Sequence, residues 1–239
     1  DIGGASSCAS TPRPLWWLAL HGVILRVRPR KSAHAYRQVW TAAGSPLLTG
    51  TLALAHALQG RLEALMPAAP AIVTGMTYGN PSISAALAEF RAVNVRRLLV
   101  LPLYPQYSAT TTASVFDRVT ENLRRWRWLP ELRFINEYHA EKGYIAAVAN
   151  SIAVRRAAGA PPPHLLFSFH GLPRRYLDTG DPYFCQCQAT ARLVAGRLAL
   201  PSGAWSVAFQ SRVGRERWLE PYTEDRLRAI AAAGTRRVA

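Results

Sequence analysis

The chain has 239 residues, 49% of them apolar and 18% charged, with a mean hydropathy of −0.01. That balance supplies a buried core and excludes a disordered, collagenous or coiled-coil chain. The 29 Lys and Arg against 14 Asp and Glu leave a net charge of +15, a field that favours nucleic acid, membrane headgroups or carboxylated small molecules. Lys31 and Lys142 are the only lysines, and the basic residues are dense only at Arg26-Val27-Arg28-Pro29-Arg30-Lys31. No helix-turn-helix, zinc-finger or RNP pattern accompanies them, so a basic nucleic-acid-binding domain rests on charge alone and no nucleic-acid partner is expected. Cys8, Cys185 and Cys187 are too few for a disulfide scaffold, and the last two stand too close to bridge without strain, so a reducing, cytoplasmic setting is expected. The longest apolar run, residues 15–20 resuming at 23–25, is well short of the roughly 18–20 residues of a spanning helix. The first residues carry no initiator Met and no basic segment of a signal peptide.

In chain order, residues 71–76 form a β-rich run that leads through Tyr78-Gly79-Asn80-Pro81 to a helix capped near Ser82, with Ile83, Leu87 and Phe90 at helical spacing. The uninterrupted apolar run 98–101 predicts a strand covered on both faces. A Pro/Tyr-rich loop over 102–108, a helix over 111–126, a strand over 132–135 and a helix over 144–156 follow. Residues 157–163, with three consecutive prolines, read as a linker. Beyond it come a strand over 165–169, a helix containing 190–200, a strand over 205–209 and a helix from Thr223 with Glu224 and Asp225 in its first turn. Strands alternating with helices on both sides of a linker predict an α/β protein with doubly wound parallel sheets. The amino-terminal lobe spans 1–156 and the carboxy-terminal lobe 164–239. Residues 87–97 leading into the strand at 98 have a counterpart in residues 227–237 leading into Val238-Ala239. The sequence is therefore expected to stop two residues into a strand and to be a fragment.

Ligands of parallel α/β sheets bind beyond the carboxyl ends of the strands. Three such exits are loaded with polar and aromatic groups: residues 76–81, 102–108 and 168–173. His170 follows an apolar strand and precedes Gly171, which permits a close approach by a ligand. It is a proton acceptor or metal ligand, or else a structural histidine bonded to a turn; spacing leaves both open. No HExxH or paired-cysteine pattern supports a closed metal site, and the absence of GxGxxG and of a P-loop argues against dinucleotides and nucleoside triphosphates.

Leu101-Pro102-Leu103-Tyr104-Pro105-Gln106-Tyr107-Ser108 with Thr110-Thr111-Thr112 resembles the ferrochelatase family, as does Ser168-Phe169-His170-Gly171-Leu172-Pro173 with Gly180-Asp181-Pro182-Tyr183. Phe209-Gln210-Ser211-Arg212-Val213-Gly214 with Trp218-Leu219, and Tyr36-Arg37 with Gly44-Ser45-Pro46-Leu47, continue the likeness in family order from about Pro14 onward. Residues 1–10 show no match. The variants here are similar to those of bacterial members that use protoporphyrin.

The resemblance implies two Rossmann-like lobes with parallel sheets flanked by helices, both incomplete here. It also implies a lyase that inserts Fe(II), as substrate, into protoporphyrin IX in the last step of haem synthesis. Two pyrrole protons leave as the metal enters, so a base is needed at the macrocycle centre. His170 matches the family's active-site histidine, as proton acceptor or metal ligand. Tyr78, Tyr104 and Trp218 suit the flat apolar ring, against a reading as ordinary core that weighs most for Trp218. Arg28, Tyr36 and Ser45 align with porphyrin contacts and suit its propionates; Arg30 is chemically as good as Arg28. Residues 14–31 match a lip over the cleft, where Trp16 and Trp17 are positioned either to touch a membrane or to close the pocket as a buried helix. No residue matches the family's second catalytic residue, a glutamate, and negligible turnover is expected of these residues alone. No cofactor is expected, and Cys185-Gln186-Cys187 cannot by itself hold an iron–sulphur cluster. A porphyrin- or haem-binding protein without turnover is the competing reading.

Overall fold

The computed structural model describes residues 40–42, 44–157 and 164–239, and the chain divides into two compact units, residues 1–74 and 75–239. The segment 158–163, most of the expected linker, and residues 1–39 lie outside the described residues. No helix among those described is long and apolar enough to cross a membrane.

In the first unit, helix α1 (Pro46–Leu65) starts at the N-cap Ser45, with Pro46 in the first turn, where its missing N–H costs nothing. The sequence analysis names no element over these residues, and the helix buries none of them. Gln59 Oε1 accepts from the Ile72 amide at 3.0 Å, tying the segment after α1 back to it.

In the second unit, helix α2 (Ile83–Ala92), strand β1 (Arg97–Val100), helix α3 (Thr112–Leu123) and strand β2 (Glu131–Phe134) form one layer pair. The next elements are helix α4 (Lys142–Ala157), strand β3 (Leu165–His170), the short helix α5 (Arg174–Asp178) and helix α6 (Tyr183–Arg197). Strand β4 (Trp205–Gln210) and helix α7 (Thr223–Ala232) complete the order. Strands β1 and β2 pair in parallel from Arg97 against Glu131 to Val100 against Phe134; β3 and β4 pair in parallel from Leu165 against Trp205 to His170 against Gln210. The chain is thus α/β, with two small parallel sheets flanked by helices.

Ser82 caps α2 as expected, its hydroxyl accepting from the Ala85 amide at 3.1 Å. Leu98 is buried against Ile83, Leu87, Val115, Val119 and Leu123, so α2 and α3 lie on one face of β1. The expected covering of both faces is corrected here: Leu99, pointing the other way, is 61% exposed. The strand expected over 71–76 also fails to form, and only Met76 makes an isolated parallel bridge, with Ser82. A β-rich run becomes a strand only where a ladder partner satisfies its backbone.

In the second sheet, Cys187 and Ala191 of α6 pack on Val207 and Phe209 of β4, and Phe184 stacks on Phe209 with ring centres 5.4 Å apart. Helix α4 packs on α6 through Ile145, Ala149 and Val194, against Phe167 of β3. Helix α6 begins well before the expected 190 and ends before the expected 200. Ala199 takes φ +49°, and the Leu200 amide closes the end on Ala195 O at 3.0 Å, a left-handed stop. Val238 bridges in parallel to His164, and the Leu166 amide donates to Ala239 O at 2.9 Å, the strand-like path that the internal comparison predicts.

Candidate functional site

His170 is the last residue of β3, paired in register with Gln210, and its side chain is exposed. The next amide, of Gly171, donates to Gln210 O at 2.7 Å. A Cβ at Gly171 would stand 2.8 Å from that oxygen and 3.3 Å from the Trp218 ring. The close approach that Gly171 permits in this structure is therefore to the chain itself, to β4 and to the indole. Trp218 is fastened beside the β3 exit: it bridges to Pro173, the Leu219 amide donates to Leu172 O at 2.8 Å, and Arg174 N donates to Arg217 O at 2.8 Å. The indole Nε1 is buried without a hydrogen-bond partner. Glu220 accepts from Arg217 at 3.1 Å, which holds its carboxyl below the usual carboxylate range.

The exits of the first sheet are joined to this region by a mostly buried polar network. Asp181 Oδ2 accepts from the Ser108 hydroxyl at 3.0 Å and the Ala109 amide at 2.8 Å, while Oδ1 accepts from the Tyr183 amide at 3.0 Å. Gln186 of α6 accepts from the Tyr107 amide at 2.6 Å and donates to Glu137. Gln106 donates to Thr190, whose hydroxyl donates to His139 O at 3.0 Å. Ser108, Gln106, Gln186 and Thr190 are all buried. Helix α6, hung on the second sheet, therefore fixes the loops that leave β1 and β2. Sequence reasoning names Asp181, Gln106 and Gln186 only as parts of motifs and Thr190 only as a helix residue, and assigns none of them a role. The turn Gly180-Asp181-Pro182, with Gly180 at φ +98°, is the signal that marks Asp181; nothing local marks Gln186 or Thr190.

The structure packs Trp218 on Gly171, the residue after His170, and ties the loop carrying Tyr104 to the turn before α6 through Asp181. Tyr104 is exposed, and Tyr78, in the loop before α2, is 79% exposed. Ser45 caps α1 in the first unit without a side-chain cap bond. Arg28, Arg30, Tyr36, Trp16 and Trp17 lie outside the described residues. Among those described, no three His, Cys, Asp or Glu side chains gather as metal ligands. The exposed thiol of Cys185 and the buried one of Cys187 stand on opposite sides of α6. An exposed imidazole at a strand end, next in sequence to a glycine on which an indole packs, has the chemistry to take a proton from, or hold a metal over, a flat apolar ligand.

A family model described as Ferrochelatase matches residues 6–239, so the match starts ahead of the Pro14 expected from the motifs and includes part of the segment 1–10. The curated ferrochelatase of Nitrosococcus oceani is 52% identical over 227 residues, 95% of this chain and 61% of that protein. That of Thioalkalivibrio sulfidiphilus is 50% identical over 219 residues, 92% of this chain and 59% of its own length. That of Marinobacter nauticus is 48% identical over 227 residues, 95% and 61% of the two chains. The chain spans about three fifths of the length of these relatives. With its strand-end histidine, its packed indole and a match along nearly its whole length, the chain belongs to the ferrochelatase family.

Proposed function

We propose that this protein inserts Fe(II) into protoporphyrin IX, with His170 on the floor of the porphyrin site. The observation that carries the reading is the pairing of an exposed imidazole at the carboxyl end of β3 with the Trp218 ring packed on the adjoining Gly171. A porphyrin needs an apolar surface for its face and a basic group at its centre, and this pair supplies both. His170 acts on the central protons or the entering metal; Trp218 and the exit tyrosines Tyr78 and Tyr104 pack on the macrocycle. Ser45, Tyr36 and Arg28 or Arg30 serve the propionates through charge-assisted hydrogen bonds. Cytoplasmic placement accords with the free thiols of Cys185 and Cys187.

The test is a protoporphyrin IX titration followed by Fe(II) under anaerobic conditions, reading the Soret band, tryptophan fluorescence and the collapse of the free-base visible bands. Wild type should shift the Soret band and lose fluorescence. His170→Ala should bind the porphyrin with a similar dissociation constant and lose whatever metallation the wild type shows. A folded wild-type chain that leaves the porphyrin spectrum unchanged overturns the proposal. Metallation by His170→Ala at the wild-type rate removes His170 from the mechanism.

A further inference from the structure

The loop that leaves β1 is pinned at four consecutive residues. Pro105 O accepts from the Tyr138 amide at 3.0 Å. The Gln106 side chain donates to the Thr190 hydroxyl at 2.9 Å, and the Tyr107 amide donates to Gln186 Oε1 at 2.6 Å. The Ser108 hydroxyl donates to Asp181 Oδ2 at 3.0 Å. Thr190 and Gln186 stand on α6, Asp181 in the turn before it and Tyr138 in the segment after β2. Directly ahead of the pinned residues, Leu103 is 44% and Tyr104 40% exposed. Packing a loop on a helix needs only apolar contacts. Buried polar bonds add little net stability, but they admit a single geometry. An exposed aromatic ring just ahead of four fixed residues is therefore ordered in advance for a contact outside its own loop.

Gln186 is the partner with the most exacting chemistry. It is 7% exposed and uses both ends of its side-chain amide: Oε1 accepts from Tyr107, and Nε2 donates to Glu137. The same Glu137 oxygen lies 3.3 Å from His139 Nδ1. Gln186 thereby couples the loop after β1 to the loop after β2. A carboxylate at this position could accept from Tyr107 but would meet Glu137 charge against charge, and a hydrocarbon would serve neither neighbour.

We infer that Gln186 is a positioning residue of the porphyrin site, holding the loop so that Tyr104 meets the macrocycle without first having to be ordered. Gln186 acts through the Tyr107 amide, and the role given to Tyr104 rests on the function proposed above. Order supplied in advance by the protein is entropy that porphyrin binding does not have to pay.

The experiment pairs amide hydrogen exchange with a protoporphyrin IX titration, read by tryptophan fluorescence, on the 239-residue chain. Gln186→Glu should speed exchange in peptides containing Tyr107 and spare those of β3. It should weaken porphyrin binding about five- to tenfold, the scale of losing one contact ordered in advance. Gln186→Met, which removes both bonds without adding charge, should move both readouts the same way. The swap Glu137→Gln/Gln186→Glu reverses donor and acceptor, and should bring both readouts back to within about twofold of wild type. Tyr104→Ala should weaken binding by about the factor seen for Gln186→Glu, and combining the two should add less than about twofold, since one acts through the other. Faster exchange with wild-type binding overturns the inference, as does unchanged exchange in both single Gln186 variants. So does a swap that fails to recover, or Tyr104→Ala binding as wild type. A Gln186→Glu loss that persists in full on Tyr104→Ala makes Gln186 a support of the fold alone and overturns it too. Folded wild type that leaves protoporphyrin unbound overturns the proposed function and this inference together.

Discussion

Asp181 accepts three hydrogen bonds, two of them across more than seventy residues of sequence from the loop that leaves β1. Removing the carboxylate strips the Ala109 amide of its acceptor and leaves the buried Ser108 hydroxyl with Thr110 alone. Asp181→Ala should therefore cost about 2–3 kcal/mol, the scale of bonds to a charged acceptor. Asp181→Asn, which keeps one carbonyl acceptor, should cost about half as much. Urea midpoints at constant slope measure both, and an Asp181→Ala midpoint equal to wild type would mean that the network contributes nothing to stability.

Cys187 supplies a second test at this scale, through pH. Burial pushes its thiol from the ordinary 9.0 up to about 12, with Asp181 adding to the rise, while a hydrogen bond with Tyr183 opposes it. Burial likewise raises Tyr138 from 10.0 to about 12. A raised pKa in the folded state means that the unfolded chain loses its proton first. Stability is complete below about pH 9 and declines as pH rises toward 12. The melting temperature should fall over that window, and Cys187→Ala, referenced to its own value at pH 8, should fall less steeply. Parallel curves for the two proteins would exclude the thiol as a cause. At neutral pH, alkylation followed by peptide mapping should label exposed Cys185 and spare Cys187.

At the scale of elements, β1 shows how packing decides what an apolar run means. Leu98 and Leu99 are adjacent and chemically identical, yet one is 5% and the other 61% exposed. Leu98→Ala should cost about 2–4 kcal/mol through the cavity left between α2 and α3. Leu99→Thr should stay within about 0.5 kcal/mol of wild type, as surface changes do. Chemical denaturation of the two variants separates them, and a large loss at Leu99 would mean that this face is covered in solution. Local chemistry made the start of α2 readable, since Ser82 offers a cap and the apolar residues after it keep helical spacing. The reach of α6 was not readable, because its first turns bury Gln186 and Cys187 against partners remote in sequence.

Across the second unit, α4 packs with α6 on the second sheet, and a polar joint ties the first sheet's loops to α6. Helix α4 meets α6 through Ile145, Ala149 and Val194, and the Gln106, Gln186 and Thr190 side chains join the loops to the same helix. Unfolding of this unit should be a single transition, coincident by near- and far-UV circular dichroism. Ala149 is 2% exposed with Val194 at 0%, so Ala149→Leu should overpack the α4–α6 contact and cost about 1–3 kcal/mol. Near-UV and far-UV circular dichroism should both read the lowered midpoint, because Ala149 lies in the core shared by α4, α6 and β3. A wild-type midpoint would show that the space around Ala149 accommodates the larger side chain.

The sequence by itself determined the α/β class, the parallel strands at 98, 132, 165 and 205, and the place of His170 at a strand exit. These are properties of local periodicity, turn residues and short idiosyncratic motifs, which act within a few residues of one another. Only the tertiary structure decided that Leu98 rather than Leu99 is core, that Gly171 is small to admit Trp218 and the Gln210 carbonyl, and that Asp181 and Gln186 hold the first sheet's loops. Each of those outcomes depends on an atom brought near by the fold from remote sequence or from a packed helix. Spacing along the chain carries no record of which face will be covered or which distant amide will need an acceptor.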